Sequence, residues 1–204
     1  MKLKPKIAQV KHKMPASFFL YGERGIGKTA LVKLVKFIAE DKDPELHSLN
    51  FLTSYYLVEQ GQHIDNVLEE SVNKLTQGLD KSTLSKIAEK AGSVFNNGKF
   101  SFEGYGISVG VEGSKHTKKE ASTIKDRTVS ALSSILKTID EDGESKRDGA
   151  LIILDEIHNI KDIRSIGSIL RNIITTLDVD NLASISFILV GYQEDHRAFF
   201  EGDA

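Results

Sequence analysis

The run Gly22-Glu23-Arg24-Gly25-Ile26-Gly27-Lys28-Thr29 brings together the residue types that hold a phosphate, at the spacing G-x-x-x-x-G-K-S/T. Glycines let successive backbone N–H groups turn inward around an anion with no Cβ in the way. Lys28 adds a full positive charge for β- and γ-phosphates, and the Thr29 hydroxyl is a hard oxygen suited to Mg2+. The expected nucleotide-contacting set is therefore Gly22, Glu23, Arg24, Gly25, Ile26, Gly27, Lys28, Thr29 and Ala30. A second cluster, Asp155-Glu156, ends the apolar run Ala150-Leu151-Ile152-Ile153-Leu154. Asp155 is expected at the carboxyl end of a buried strand, where it would hold Mg2+ directly or through water. Glu156, one residue on, suits a general base that polarises water for attack on a γ-phosphate. The third position lies just past Ile185-Ser186-Phe187-Ile188-Leu189-Val190-Gly191. Gln193 is expected there to orient water or sense the γ-phosphate, with Tyr192 as the alternative. A glycine loop before a helix, or a strand ending in surface acids, would mimic one cluster; the pair is much harder to mimic.

These residues need strands and helices to carry them. Ser17-Phe18-Phe19-Leu20-Tyr21 is too short an apolar run for a helix and predicts the strand feeding the loop. Leu31, Leu34, Val35 and Ile38 then recur as a helix beginning at Lys28, with its positive end toward the phosphate. Breakers at Glu40-Asp41-Lys42-Asp43-Pro44 end it. Asn50 to Val58 predicts a second strand, and Ile64, Val67, Leu68, Val72 and Leu75 predict a helix after it. A short helix is expected around Leu84, Ile87, Ala88 and Val94, and a long one from about Lys118 to Ile139. The apolar run at 150–154 is continuous, as in a central parallel strand covered on both faces. Helical spacing resumes at Ile163, Ile166, Ile169, Leu170, Ile173, Ile174 and Leu177 before the buried strand at 185–191.

One stretch breaks this rhythm. Phe100-Ser101-Phe102 and Ile107-Ser108-Val109-Gly110-Val111 alternate around Gly104-Tyr105-Gly106, a β-hairpin signal inside an insertion at about 95–116. It reads either as an insertion packed on the domain's edge or as a hairpin (100–111) that contacts a protein or nucleic-acid partner, since Lys99, Lys115, Lys118 and Lys119 flank it. The basic leader, residues 1–16, carries Lys2, Lys4, Lys6, Lys11, His12 and Lys13 and reads as a solvated segment or a nucleic-acid contact. Residues 17–204 form the core domain.

Composition narrows the class. With 204 residues, 40% hydrophobic and 27% charged, the chain supports one globular domain with a real core. A formal net charge of -2 gives no global pull toward nucleic acid. The absence of cysteine excludes disulfides, thiol catalysis and cysteine-ligated metals, and fits a cytoplasmic protein. No apolar run approaches a membrane span.

The Gly22–Thr29 loop, the strand into Asp155-Glu156 and the strand ending at a polar residue together resemble the AAA+ and related STAND-type P-loop ATPases, over roughly residues 15–195. The resemblance implies an α/β, three-layer P-loop NTPase with a mostly parallel sheet, carrying the hairpin as an insertion. It implies a Walker A loop at Gly22–Thr29, a Walker B pair in Asp155 and Glu156, and a sensor position nearest Gln193, where the family more usually has Asn or Thr. ATP and Mg2+ are the implied cofactors, hydrolysis by Glu156 with Lys28 the implied activity, and self-association through ATPase domains an implied partnership. The family usually continues with a further strand and a helical lid, so the chain reads as the nucleotide-binding core of a larger protein. Arg164, Arg171 and Arg197 are candidate arginine fingers, each also readable as a surface arginine. Two readings of other classes stand beside hydrolysis: a nucleotide-gated switch or assembly module with little turnover, and a nucleic-acid-associated initiator or transposition-type ATPase. Asp155-Glu156-Ile157-His158 also resembles the DExH box of helicases, but no strand ending Ser-Ala-Thr follows, and His158 reads as an outward or capping residue. The absence of an Asn-Lys-x-Asp signature favours ATP over GTP.

Overall fold

In the computed structural model, residues 3–41, 49–91, 123–141, 146–161 and 163–201 are described. Four parallel strands, β1 (Phe18–Tyr21), β2 (Phe51–Leu57), β3 (Gly149–Asp155) and β4 (Ile185–Gly191), form one sheet in the order β1-β4-β3-β2. Helix α1 (Leu3–Val10) precedes β1; parallel neighbours need crossovers, and α2 (Lys28–Ala39), α3 (Ile64–Thr76), α4 (Lys81–Ala91), α5 (Ile124–Glu141) and α6 (Ile163–Val179) supply them, while α7 (Gln193–Glu201) follows β4. This is the α/β fold of a P-loop NTPase, with an all-parallel sheet among the described residues. The expected hairpin and its insertion lie outside the described residues.

Both faces of the sheet are apolar, which is why β3 and β4 read as unbroken hydrophobic runs. Along β3, Ala150, Ile152 and Leu154 join one core with residues of α3, α4, α5 and α6, while Leu151 and Ile153 join the other with α1 and α2. On β4, Ile185, Phe187 and Leu189 alternate with Ile188 and Val190 in the same way. Period-two alternation in a strand buried on both sides therefore appears as two apolar cores and no polar face.

The leader differs from the solvated segment expected of it. Residues 3–10 are helical, and Ile7 and Val10 are fully buried against the α1/α2 side of the sheet. Pro5 sits in the first turn, where an amide hydrogen would have no intrahelical acceptor. Lys11 and Lys13 pair with Asp148 and Asp140 at 2.9 and 3.4 Å, tying the segment to the edge from which β3 starts. Directly after β4 the chain enters α7, and Glu194 and Asp195 lie in its first turn, favourable to the helix dipole.

Helix α5 begins with a reciprocal cap. Thr123 Oγ1 donates to Asp126 Oδ2 at 2.6 Å, and the Asp126 N–H donates back to Thr123 Oγ1 at 3.2 Å. The hydroxyl's hydrogen bond holds the Asp126 carboxyl below its usual range. This stabilisation is present at neutral pH and is lost as pH falls through the lowered folded value.

Gly149, at the start of β3, has φ +145, and a Cβ there would lie 2.3 Å from the Ser184 carbonyl oxygen. That oxygen is the acceptor for the Ala150 N–H at 2.8 Å, so it cannot retreat without breaking the entry of β3 into the sheet. Gly149→Ala is expected to lower stability by about 2–4 kcal/mol, read as a drop in the denaturant midpoint at unchanged slope.

Candidate functional site

The carboxyl ends of the strands gather the predicted residues. β1 ends at Tyr21, the loop runs from Gly22, and α2 opens at Lys28. Gly25 and Gly27 take φ +83 and +93, left-handed values that L side chains rarely adopt. Gly27 is the N-cap of α2 and brings no side chain to cap it, which leaves the first amides of the helix for a phosphate oxygen. Glu23, Arg24, Gly25, Ile26 and Ala30 are exposed, and Lys28 and Thr29 are half-buried beneath them. Lys28 Nζ donates to the Gly22 and Glu23 carbonyl oxygens at 2.8 and 2.9 Å, so its charge lies inside the turn of the loop.

Below the loop, Asp155 is completely buried at the end of β3. Three donors converge on its carboxylate. Thr29 Oγ1 and the Tyr55 hydroxyl donate to Oδ2 at 2.8 and 2.7 Å, and the Glu156 N–H donates to Oδ1 at 3.0 Å. Burial first, then the bond to Asp155, push the Tyr55 phenol well above its ordinary range, which keeps it a neutral donor. The hydroxyl of Thr29 and the carboxylate of Asp155 are adjacent hard oxygens, the donor set that suits Mg2+. Among the described residues no three His, Cys, Asp or Glu side chains form a metal cluster.

Glu156 has the left-handed backbone values φ 59, ψ 45, uncommon for a residue with a side chain and worth ~1 kcal/mol of strain. Its side chain is 35% exposed, against complete burial of its neighbour Asp155. His158, in the 3-10 turn Ile157–Asn159, places Nε2 at 3.3 Å from Glu156 Oε2. Beyond β4, the Tyr192 ring lies 4.9 Å from Lys28 Nζ and 4.5 Å from the His158 ring, while Gln193 opens α7 and is exposed.

A family model described as AAA domain matches residues 12–199, a span that holds the loop, both carboxylates and all four strands. The chain belongs to this family. No curated protein matches it. Membership in an AAA domain family points to nucleotide binding and ATPase activity. Of the predicted positions, the structure brings the 22–30 loop, Asp155 and Glu156 to one end of the sheet. At the third position it is Tyr192, the alternative, that meets Lys28. Arg164, Arg171 and Arg197 are all exposed, on α6 and α7.

Sequence reasoning missed two residues. Tyr55 reads only as a strand aromatic; its reach to Asp155 depends on the β2–β3 register, which sets Tyr55 opposite Ile153 and Leu57 opposite Asp155. His158 reads as a surface residue, yet it is boxed between Glu156, Asp195 and the Tyr192 ring. Among the described residues no helix is long and apolar enough to cross a membrane.

Proposed function

We propose that this AAA domain binds Mg2+-ATP and hydrolyses it, as an AAA+/STAND-type nucleotide-binding core, residues 17–204, of a larger cytoplasmic protein. The observation that carries the reading is the 2.8 Å bond from Thr29 Oγ1 to the buried Asp155 Oδ2. Residues 126 positions apart in sequence meet as the hydroxyl and carboxylate that a phosphate-bound Mg2+ needs. Thr29 and Asp155 hold the ion, with Tyr55 fixing the carboxylate. Lys28 and the amides of Gly22–Thr29 bind the phosphates. Mg2+, when bound, neutralises charge on the β- and γ-phosphates. Glu156 takes the proton of the attacking water, for which it has a partly exposed carboxylate, whereas Asp155 is fully buried and would face the ion. Tyr192 takes the sensing role first given to Gln193.

The test is direct. Purified full chain is titrated with ATP and GTP, with and without Mg2+, and phosphate release is followed at saturation. Binding that prefers ATP and strengthens with Mg2+ supports the reading; no nucleotide binding ends it. Phosphate release far below the binding signal would favour the switch over the enzyme.

A further inference from the structure

A chain of side-chain contacts joins the phosphate-binding lysine to the water-activating carboxylate. Lys28 Nζ sits over the face of Tyr192 at 4.9 Å. That ring also meets the His158 imidazole, 4.5 Å between centroids and tilted by 38°. His158 Nε2 lies 3.3 Å from Glu156 Oε2. The opposite nitrogen, Nδ1, is buried without a hydrogen-bond partner, and Asp195 Oδ2 stands 3.9 Å from it. Of the two carboxylates that face this imidazole, Glu156 is the nearer.

The backbone around these rings has little freedom. Asp195 Oδ2 accepts the Tyr192 N–H at 2.6 Å, pinning the exit of β4 to the first turn of α7. A Cβ on Gly191 would come within 2.7 Å of Asp195 Oδ2 and 3.0 Å of Ile157 Cγ1, so strand β4 is pressed directly onto the turn that carries His158.

Resting on the ATPase reading above, we propose that His158 is a positioning residue for Glu156, and that Tyr192 couples it to the position of the Lys28 ammonium. A phosphate and the Tyr192 ring compete for the same cation, and the charged phosphate is the stronger partner. Drawing the ammonium toward phosphate changes the load on the ring, the ring shifts against the imidazole, and the imidazole sets the carboxylate that faces water. Lys28 thereby reports phosphate occupancy to the residue that acts on it.

The experiment uses the full chain with isotope-labelled histidine. The His158 imidazole signal is assigned from its loss in His158→Gln, and a non-hydrolysable ATP analogue with Mg2+ is added while binding is measured on the same samples. In the wild type the His158 signal is expected to move on saturation. Tyr192→Ala, compared at analogue concentrations that saturate it, is expected to lose most of that movement, and Tyr192→Phe, which keeps the ring, to retain it. In turnover, His158→Ala is expected to lower kcat about tenfold at nearly unchanged KM, with partial rescue by His158→Gln. Analogue binding with a silent His158, or an equal movement in Tyr192→Ala, overturns the coupling while leaving the ATPase reading intact. Failure of the wild type to bind the analogue overturns both.

Discussion

Lys28→Ala is expected to weaken Mg2+-ATP binding by about 100-fold while the protein stays folded. The magnitude follows from what the ammonium does: two charge-assisted hydrogen bonds to phosphate oxygens, at roughly 1.5 kcal/mol each, give ~3 kcal/mol. The folded state loses little by comparison. The hydrogen bonds of Lys28 go to Gly22 and Glu23 carbonyl oxygens of its own loop, one of them exposed to water that can replace it. The buried bonds from Thr29 and Tyr55 to Asp155 are untouched. Calorimetric titration with ATP, beside a thermal melt of the same sample, separates the two effects. Equal affinity in wild type and variant would mean that nucleotide does not bind at this loop.

How far the site was legible in the sequence depends on whether its parts are local. The loop is local: Gly25 and Gly27 must be glycine for their backbone, Lys28 and Thr29 are adjacent, and the motif shows all of it. Strand β3 was equally visible, because a strand buried on both faces must be apolar at every position, so its one carboxylate, Asp155, stands out. The contacts that tune these residues are not local. Tyr55 reaches Asp155 because β2 and β3 pair in one particular register, and strand propensity carries no register. His158 meets Tyr192 because Gly191 lets β4 approach the turn after β3, a packing event between segments distant in the chain. Which of Gln193 and Tyr192 meets Lys28 is of the same kind, since α7 begins at Gln193, which is exposed, and the Tyr192 ring lies under the ammonium. Ile7 and Val10 were a different omission: their i, i+3 spacing is present in the leader, masked by the lysines around it.

Glu156→Gln is expected to leave ATP affinity within about twofold of wild type and to lower kcat by roughly 100- to 10,000-fold, the range a general base supplies. The substitution is nearly isosteric and keeps an oxygen that can accept from His158 Nε2, so the 3.3 Å contact and the left-handed backbone at residue 156 survive. What it removes is basicity, and only there. Asp155 cannot take over. It is fully buried, and two hydroxyls and an amide already donate to its oxygens. The two carboxylates, adjacent in sequence, differ in burial because β3 ends between them: one stays inside the sheet and the other turns out through a strained backbone. Single-turnover phosphate release at saturating ATP, set beside equilibrium binding, reads the difference. Turnover within about threefold of wild type in Glu156→Gln would move the base elsewhere and with it the meaning of the His158 contact.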